Sequence, residues 1–275
     1  MHQLGFARLS ALVASLGLAV ALSVTHAQAA SQVVKVLYAG SLVTPMEGPI
    51  KSALSERGID FQGEPGGSKE LANLIAAGVR SPDVFISVNP KLVTGLGDRV
   101  ATATTFAGTS LGVAWAPNSR FAHLFDSVRA RMTTLQRALG TPGLKIGRTD
   151  PKLDPKGAYT IEGMRMWLGS AGARRILGDD ENPSQIFPEE NLLARVDTGQ
   201  IDVGFFYQTE AIARNYHFIP LPGPAALTDR ITYALAVMKA APHPDAARTF
   251  AAFILTGEGR KILETAGLTY LPKTH

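Results

Sequence analysis

Cysteine is absent from all 275 residues. That excludes a disulfide framework, and it removes the residue to which a lipoprotein attaches its lipid anchor. Histidine is sparse. His123, His217 and His243 stand far apart and singly, without the spacing of metal ligands. Enzyme motifs are missing or incomplete. No serine sits in a G-x-S-x-G elbow. Gly63 to Lys69 approaches a phosphate loop, but Ser-Lys stands where Gly-Lys-Ser/Thr is required. Basic residues form no stripe interleaved with aromatics, which argues against a nucleic-acid partner. Internal repeats, low-complexity tracts and a Gly/Ser-rich linker are also lacking.

What is present begins with an export address. Arg8 precedes an apolar run from Leu9 to Val24, broken only by Ser10, Ser15, Gly17 and Ser23, and Ala27-Gln28-Ala29 follows as a small-x-small cleavage site. Residues 1–29 therefore read as a secretory signal peptide, with Ala30 or Ser31 starting the mature chain. The expected compartment is a periplasm, with no membrane insertion after cleavage. About 245 mature residues suffice for two small domains or one large one. The formal charge of +4, from 27 basic and 23 acidic residues, falls to +3 when Arg8 leaves. This mild positive balance suits an anionic solute.

Strand and helix patterns alternate along the mature chain. Val33–Tyr38, Ile59–Gln62, Asp83–Val88, Ser110–Ala116, Leu144–Gly147, Ile201–Tyr207 and Ile231–Met238 are β-rich apolar runs. Helical patterns cover Pro45–Arg57, Ser68–Ala77, Phe121–Leu139, Gly157–Leu168, Pro188–Thr198, a short stretch from Thr209, Pro244–Leu255 and Glu258–Ala266. The order implies an α/β protein with mostly parallel sheets flanked by helices. Such folds bind ligands where loops at the carboxyl ends of strands meet.

Several residues stand at such ends. Ser41 closes the first strand in a Gly-Ser turn, and Ser68 follows two glycines and opens a helix as a natural N-cap. Both lie where backbone N–H groups and a helix dipole point at one space; each either caps its own helix or helps hold an anion. Asp154 lies in the loop Gly147–Gly157, which carries two Asp-Pro pairs. It is either a turn and cap residue or, with the amides near Gly157, turned toward a ligand. Tyr207 ends a strand and offers either core packing or a donor hydroxyl on a rigid ring.

Taken together, these segments resemble the periplasmic solute-binding proteins of molybdate/tungstate ABC importers. The likeness runs through Val36–Leu42, Gly67-Ser68, Pro82–Ser87, Thr149–Gly157, Thr198–Tyr207 and Phe250–Leu263. It implies a two-lobed type II binding-protein fold with the ligand in the cleft, residues 31–113 plus 225–275 forming one lobe and 114–224 the other. It implies Ser41 and Ser68 as donors from the first lobe, and the helix opening near Gly157-Ala158 together with Tyr207 as donors from the second. In one branch two carboxylates also reach the metal atom of the oxyanion. Asp154 matches the first as a possible direct ligand; Phe206 stands where the second, a glutamate, is required.

The implied function is non-enzymatic. A monomer binds a small tetrahedral oxyanion, molybdate or tungstate, and delivers it to the membrane subunits of an ABC permease, with no cofactor. A dianion stripped of water needs many donors, and hydroxyls, amides and helix N-termini supply them. The alternatives are another anion (sulfate, phosphate or an organic phosphonate), a sensor subunit for the same anion, or an exported hydrolase or lyase. Arg148, in the candidate loop, would favour an arginine clamp if it faced the ligand.

Overall fold

The computed structural model describes residues 32–272, so the expected signal peptide lies outside the described residues. Among those residues no helix is long and apolar enough to cross a membrane. The strands are β1 (Gln32–Ala39), β2 (Ile59–Gly66), β3 (Val84–Ser87), β4 (Val100–Gly108), β5 (Leu111–Trp115), β6 (Ile146–Gly147), β7 (Val203–Tyr207), β8 (His217–Pro220), β9 (Thr232–Met238) and β10 (Thr269–Tyr270). They form two sheets, a six-stranded one in the order β10-β4-β9-β3-β1-β2 and a four-stranded one in the order β6-β7-β5-β8.

Residue alternation along the first sheet explains why both its faces are covered. Val36, Tyr38, Val84, Ile86, Tyr233 and Leu235 pack into one apolar cluster. Their neighbours Leu37, Phe85, Ala234 and Ala236 point the other way, against Leu71, Ile75 and Val93. The second sheet repeats the device. Val113, Trp115, Phe205 and Tyr207 join the large cluster, while Ala114 and Phe206 meet Leu192, Leu193 and Tyr216. Burial on both faces makes these strands continuous apolar runs.

Both sheets are mixed, which corrects the mostly parallel expectation. Among the described strand pairs only β1–β2, β1–β3 and β6–β7 run parallel. β9 returns antiparallel between β3 and β4, and β5 lies antiparallel to both β7 and β8. The chain passes from one sheet to the other between β4 and β5, which only Thr109 and Ser110 separate. The boundary expected after residue 113 falls inside β5, the whole of which pairs in the second sheet.

Two expected helices are broken. Over 45–57 the chain kinks at Gly48 (φ −97°, ψ −106°) before Pro49 and resumes helically at Lys51–Ser55. Over 121–139 it forms Ala122–Arg129 and Leu135–Leu139, separated by Arg131 at φ +60°. The helix opening after Asp154 breaks at Gly169 (φ +67°, ψ 170°), directly after the expected end at Leu168, and a second helical run continues to Leu177.

Candidate functional site

The site is built at matching strand ends. Parallel pairing sets Ala39 at the end of β1 opposite Gly66 at the end of β2. The turn Gly40–Leu42 and the helix Ser68–Ala76 therefore start side by side. In the second sheet β6 and β7 are also parallel, so the loop after Gly147 and the residue Tyr207 leave the same edge. Asp154 closes that loop. Its carboxylate accepts the Lys156 amide at 2.8 Å, and Pro155 occupies the first helical turn.

These ends face each other closely. A Cβ added at Gly67 would lie 2.9 Å from the Leu153 carbonyl oxygen, and one added at Gly40 would lie 3.0 Å from the Glu189 carboxyl. Glycine at both positions permits this approach. Between the two sheets lies a cavity of about 490 Å³. Its walls include Gly66, Gly67, Thr149, Asp154 and Glu189. Thr149 Oγ1 and Glu189 Oε1 are buried there and have no hydrogen-bond partner among the described residues.

Behind Glu189 lies a dense polar cluster. Lys156 is wholly buried. It donates to Glu210 Oε1 at 2.5 Å and stands 3.6 Å from Glu189 Oε1. Glu210 also accepts the Tyr207 amide at 2.8 Å, which starts the helix Gln208–Ala213. Ser41 Oγ and Tyr233 OH are hydrogen-bonded at 2.9 Å. The buried Tyr207 OH and Thr209 Oγ1 have no partner among the described residues. Buried hydroxyls left in this state are costly unless a further group completes them.

Burial and charge set the ionisation here. Burial works against the Lys156 ammonium, but Glu189, Glu210 and Asp154 together outweigh it and hold the lysine charged. Burial pushes the Glu189 carboxyl well above the usual range. Lys156 opposes that rise, while Glu210 and Asp154 add to it. Burial likewise raises the Tyr207 and Tyr233 phenols, so both stay protonated donors.

The expected residues separate into three groups. Ser41, Asp154 and Tyr207 belong to the cavity or to the cluster behind it. Ser68 is buried at the cavity's edge, but it does not cap its helix: Gly67 is the cap residue, and the Ser68 hydroxyl accepts the Val88 amide at 3.2 Å. Gly157 packs tightly, since a Cβ there would meet Thr149 O at 2.5 Å. Ala158 points away from the cluster. It is exposed, lines a separate cavity with Tyr159 and Arg230, and gives its amide to Asp154 O.

Arg148 forms no clamp on this cavity. It is buried and donates to the Asp179 and Asp180 carbonyls. Sequence reasoning missed Lys156, Glu189 and Tyr233. Lys156 carried a usable signal, because it sits two residues past a capping aspartate beside Gly157. Tyr233 lay hidden in an apolar strand.

A family model for bacterial extracellular solute-binding proteins matches residues 34–269. A Haloferax volcanii protein provisionally named an ABC transporter molybdenum-binding protein is 29% identical over 200 residues, which is 71% of this chain and 62% of that one. The chain thus spans just under two thirds of the first relatives it matches. The molybdate-binding protein ModA of Mycobacterium bovis is 30% identical over 252 residues, covering 83% of this chain and 84% of that one. The solved periplasmic molybdate-binding protein of Azotobacter vinelandii has a TM-score of 0.68 at 16% identity. It covers 87% of this chain and 100% of that one, and it shares the two-lobed fold. With its two sheets facing across a polar cleft and the family match spanning almost every described strand, this chain belongs to the bacterial extracellular solute-binding proteins.

Proposed function

We propose that the protein binds one tetrahedral oxyanion, molybdate or tungstate, between its two sheets and delivers it to an ABC permease after export to the periplasm. The first lobe comprises the strands β1–β4, β9 and β10, the second β5–β8. One observation carries the reading. Hydroxyls of Thr149, Tyr207 and Thr209 are buried without partners at the facing strand ends, beside the Ser41 hydroxyl and the start of the helix Ser68–Ala76. An oxyanion accepts from such groups, and helix N-termini add further N–H donors. The relatives named for molybdate lend support to the choice of ion.

The role is binding without catalysis. The serines lack a neighbouring base, and Lys156 is held between carboxylates rather than freed as a nucleophile. Calorimetric titration of the ligand-stripped protein with molybdate, tungstate, sulfate and phosphate tests the proposal. Tight one-to-one binding of the first two and weak sulfate is the expected result. Preference for sulfate or phosphate would reassign the ion, and heat from none of the four would overturn the oxyanion reading.

A further inference from the structure

The cavity wall holds more negative charge than an anion site requires. Asp154 and Glu189 line it directly, Glu64, Glu70 and Asp150 stand along it, and Glu210 lies just behind. Some of this charge is already engaged. Glu64 pairs with Arg80, Asp154 caps its helix, Asp150 accepts the Lys152 amide, and Glu210 accepts from both Lys156 and the Tyr207 amide. Glu189 differs from these. Its Oε1 is buried without a hydrogen-bond partner and its closest cation, Lys156 Nζ, is 3.6 Å away. Its carboxyl sits between the cavity and Gly40, the residue before Ser41.

A dianion brought next to an ionised carboxylate in this buried place would meet strong repulsion, which the more distant Lys156 ammonium, shared with Glu210, offsets only in part. The same carboxyl carrying a proton becomes a donor aimed at the anion. We propose that Glu189 contacts the bound oxyanion as a neutral carboxylic acid, so that wherever the free protein holds this carboxyl ionised the dianion enters together with one proton. Resting on the oxyanion reading above, this inference names the residue that adapts an acidic cleft to a doubly charged ligand. It also defines a specificity element: the ligand must offer a bare acceptor oxygen to Glu189.

The groups facing Glu189 set the balance. Lys156 from the helix Pro155–Leu177 favours the carboxylate. Burial, Glu210 from the helix Gln208–Ala213 and Asp154 at the cap favour the acid, and Tyr233 from β9 adds a neutral phenol. Anion binding adds a further double negative charge, which raises the carboxyl's affinity for a proton again. Between the free-state and bound-state pKa values, one proton therefore enters with each anion. Affinity is flat below the free-state value and falls as pH rises above it.

Calorimetric titration with molybdate between about pH 6 and pH 9, in buffers of different ionisation enthalpy, counts the protons taken up. The expected Kd rises about tenfold per pH unit on the alkaline side, with close to one proton absorbed per ion. Glu189→Gln keeps a donor but cannot titrate, so its Kd should lose the slope and its proton count should fall to near zero. A wild-type Kd that is flat with no proton uptake, together with wild-type affinity in Glu189→Ala, which removes the donor, overturns the inference while leaving oxyanion binding intact. A slope that persists in Glu189→Gln moves the proton to another group and also overturns it. Absence of molybdate, tungstate, sulfate and phosphate binding at every pH removes the oxyanion reading and this one with it. Should Glu189→Gln fail to fold, Glu189→Ala takes its place, and a pH slope or proton count that persists there overturns the inference.

Discussion

Single hydroxyls in this cleft divide into those hydrogen-bonded within the fold and those without a partner among the described residues, and the two kinds should respond differently to removal. Ser41 and Tyr233 are hydrogen-bonded to each other. Ser41→Ala therefore leaves the Tyr233 phenol without that partner as well as taking a donor from the cleft. A small loss of stability, about 1 kcal/mol, should accompany weaker binding. Tyr207 differs, because its hydroxyl has no partner among the described residues. Tyr207→Phe removes a buried group that nothing in the described structure satisfies. The melting temperature should hold or rise, while molybdate affinity falls roughly 5- to 150-fold, the equivalent of about 1–3 kcal/mol. Thermal melting and titration of the same two variants separate these effects. A Tyr207→Phe protein of wild-type affinity would place the phenol outside the binding contacts.

At the level of elements, the cap of the helix Pro155–Leu177 is the joint on which the second lobe's share of the site depends. Asp154 fixes the Lys156 amide, and that turn aims the lysine at Glu210 and Glu189. Asp154→Ala should lower stability by about 1 kcal/mol, and Asp154→Asn, which keeps a cap acceptor, by much less. Urea midpoints of the two variants test this, and equal losses would deny the capping role. Elements whose residues declare their own environment could be read in advance. β1, β3, β7 and β9 are apolar on both faces, and each lies within about two residues of the run that announced it. β4 could not be read this way. Ala101–Thr105 is exposed and alternates small and polar residues, and its strand exists because β9 pairs with it. The site shows the same division. Ser41 and Tyr207 were legible because each ends a strand. Glu189 looked like one more acid at a helix start, and only the fold brings it against Gly40 and Lys156 from distant parts of the chain.

For the molecule as a whole, the proposed binding depends on how closely the two lobes approach, and Gly67 reports on that distance. Its φ of −60° and ψ of 122° suit any residue, so substitution brings no backbone strain. It is also the cap position of the helix Ser68–Ala76, where serine is preferred. Taken within the first lobe alone, Gly67→Ser should therefore be neutral or stabilising. Across the cleft the outcome reverses. A Cβ at this position lies 2.9 Å from the Leu153 carbonyl and 3.8 Å from the Asp154 Cα, backbone atoms that cannot turn aside as a flexible side chain would. The lobes must then stop short of the arrangement seen here, and the donors of one lobe lose reach to an ion seated on the other. In a hinged binding protein such a block shifts the population toward the open form and lowers apparent affinity by the same factor. Gly67→Ser should thus melt at or above the wild-type temperature without ligand, bind molybdate more weakly, and keep a larger radius of gyration in solution scattering when molybdate is added. Wild-type affinity and wild-type compaction in this variant would mean that the loaded protein never brings Gly67 against Leu153.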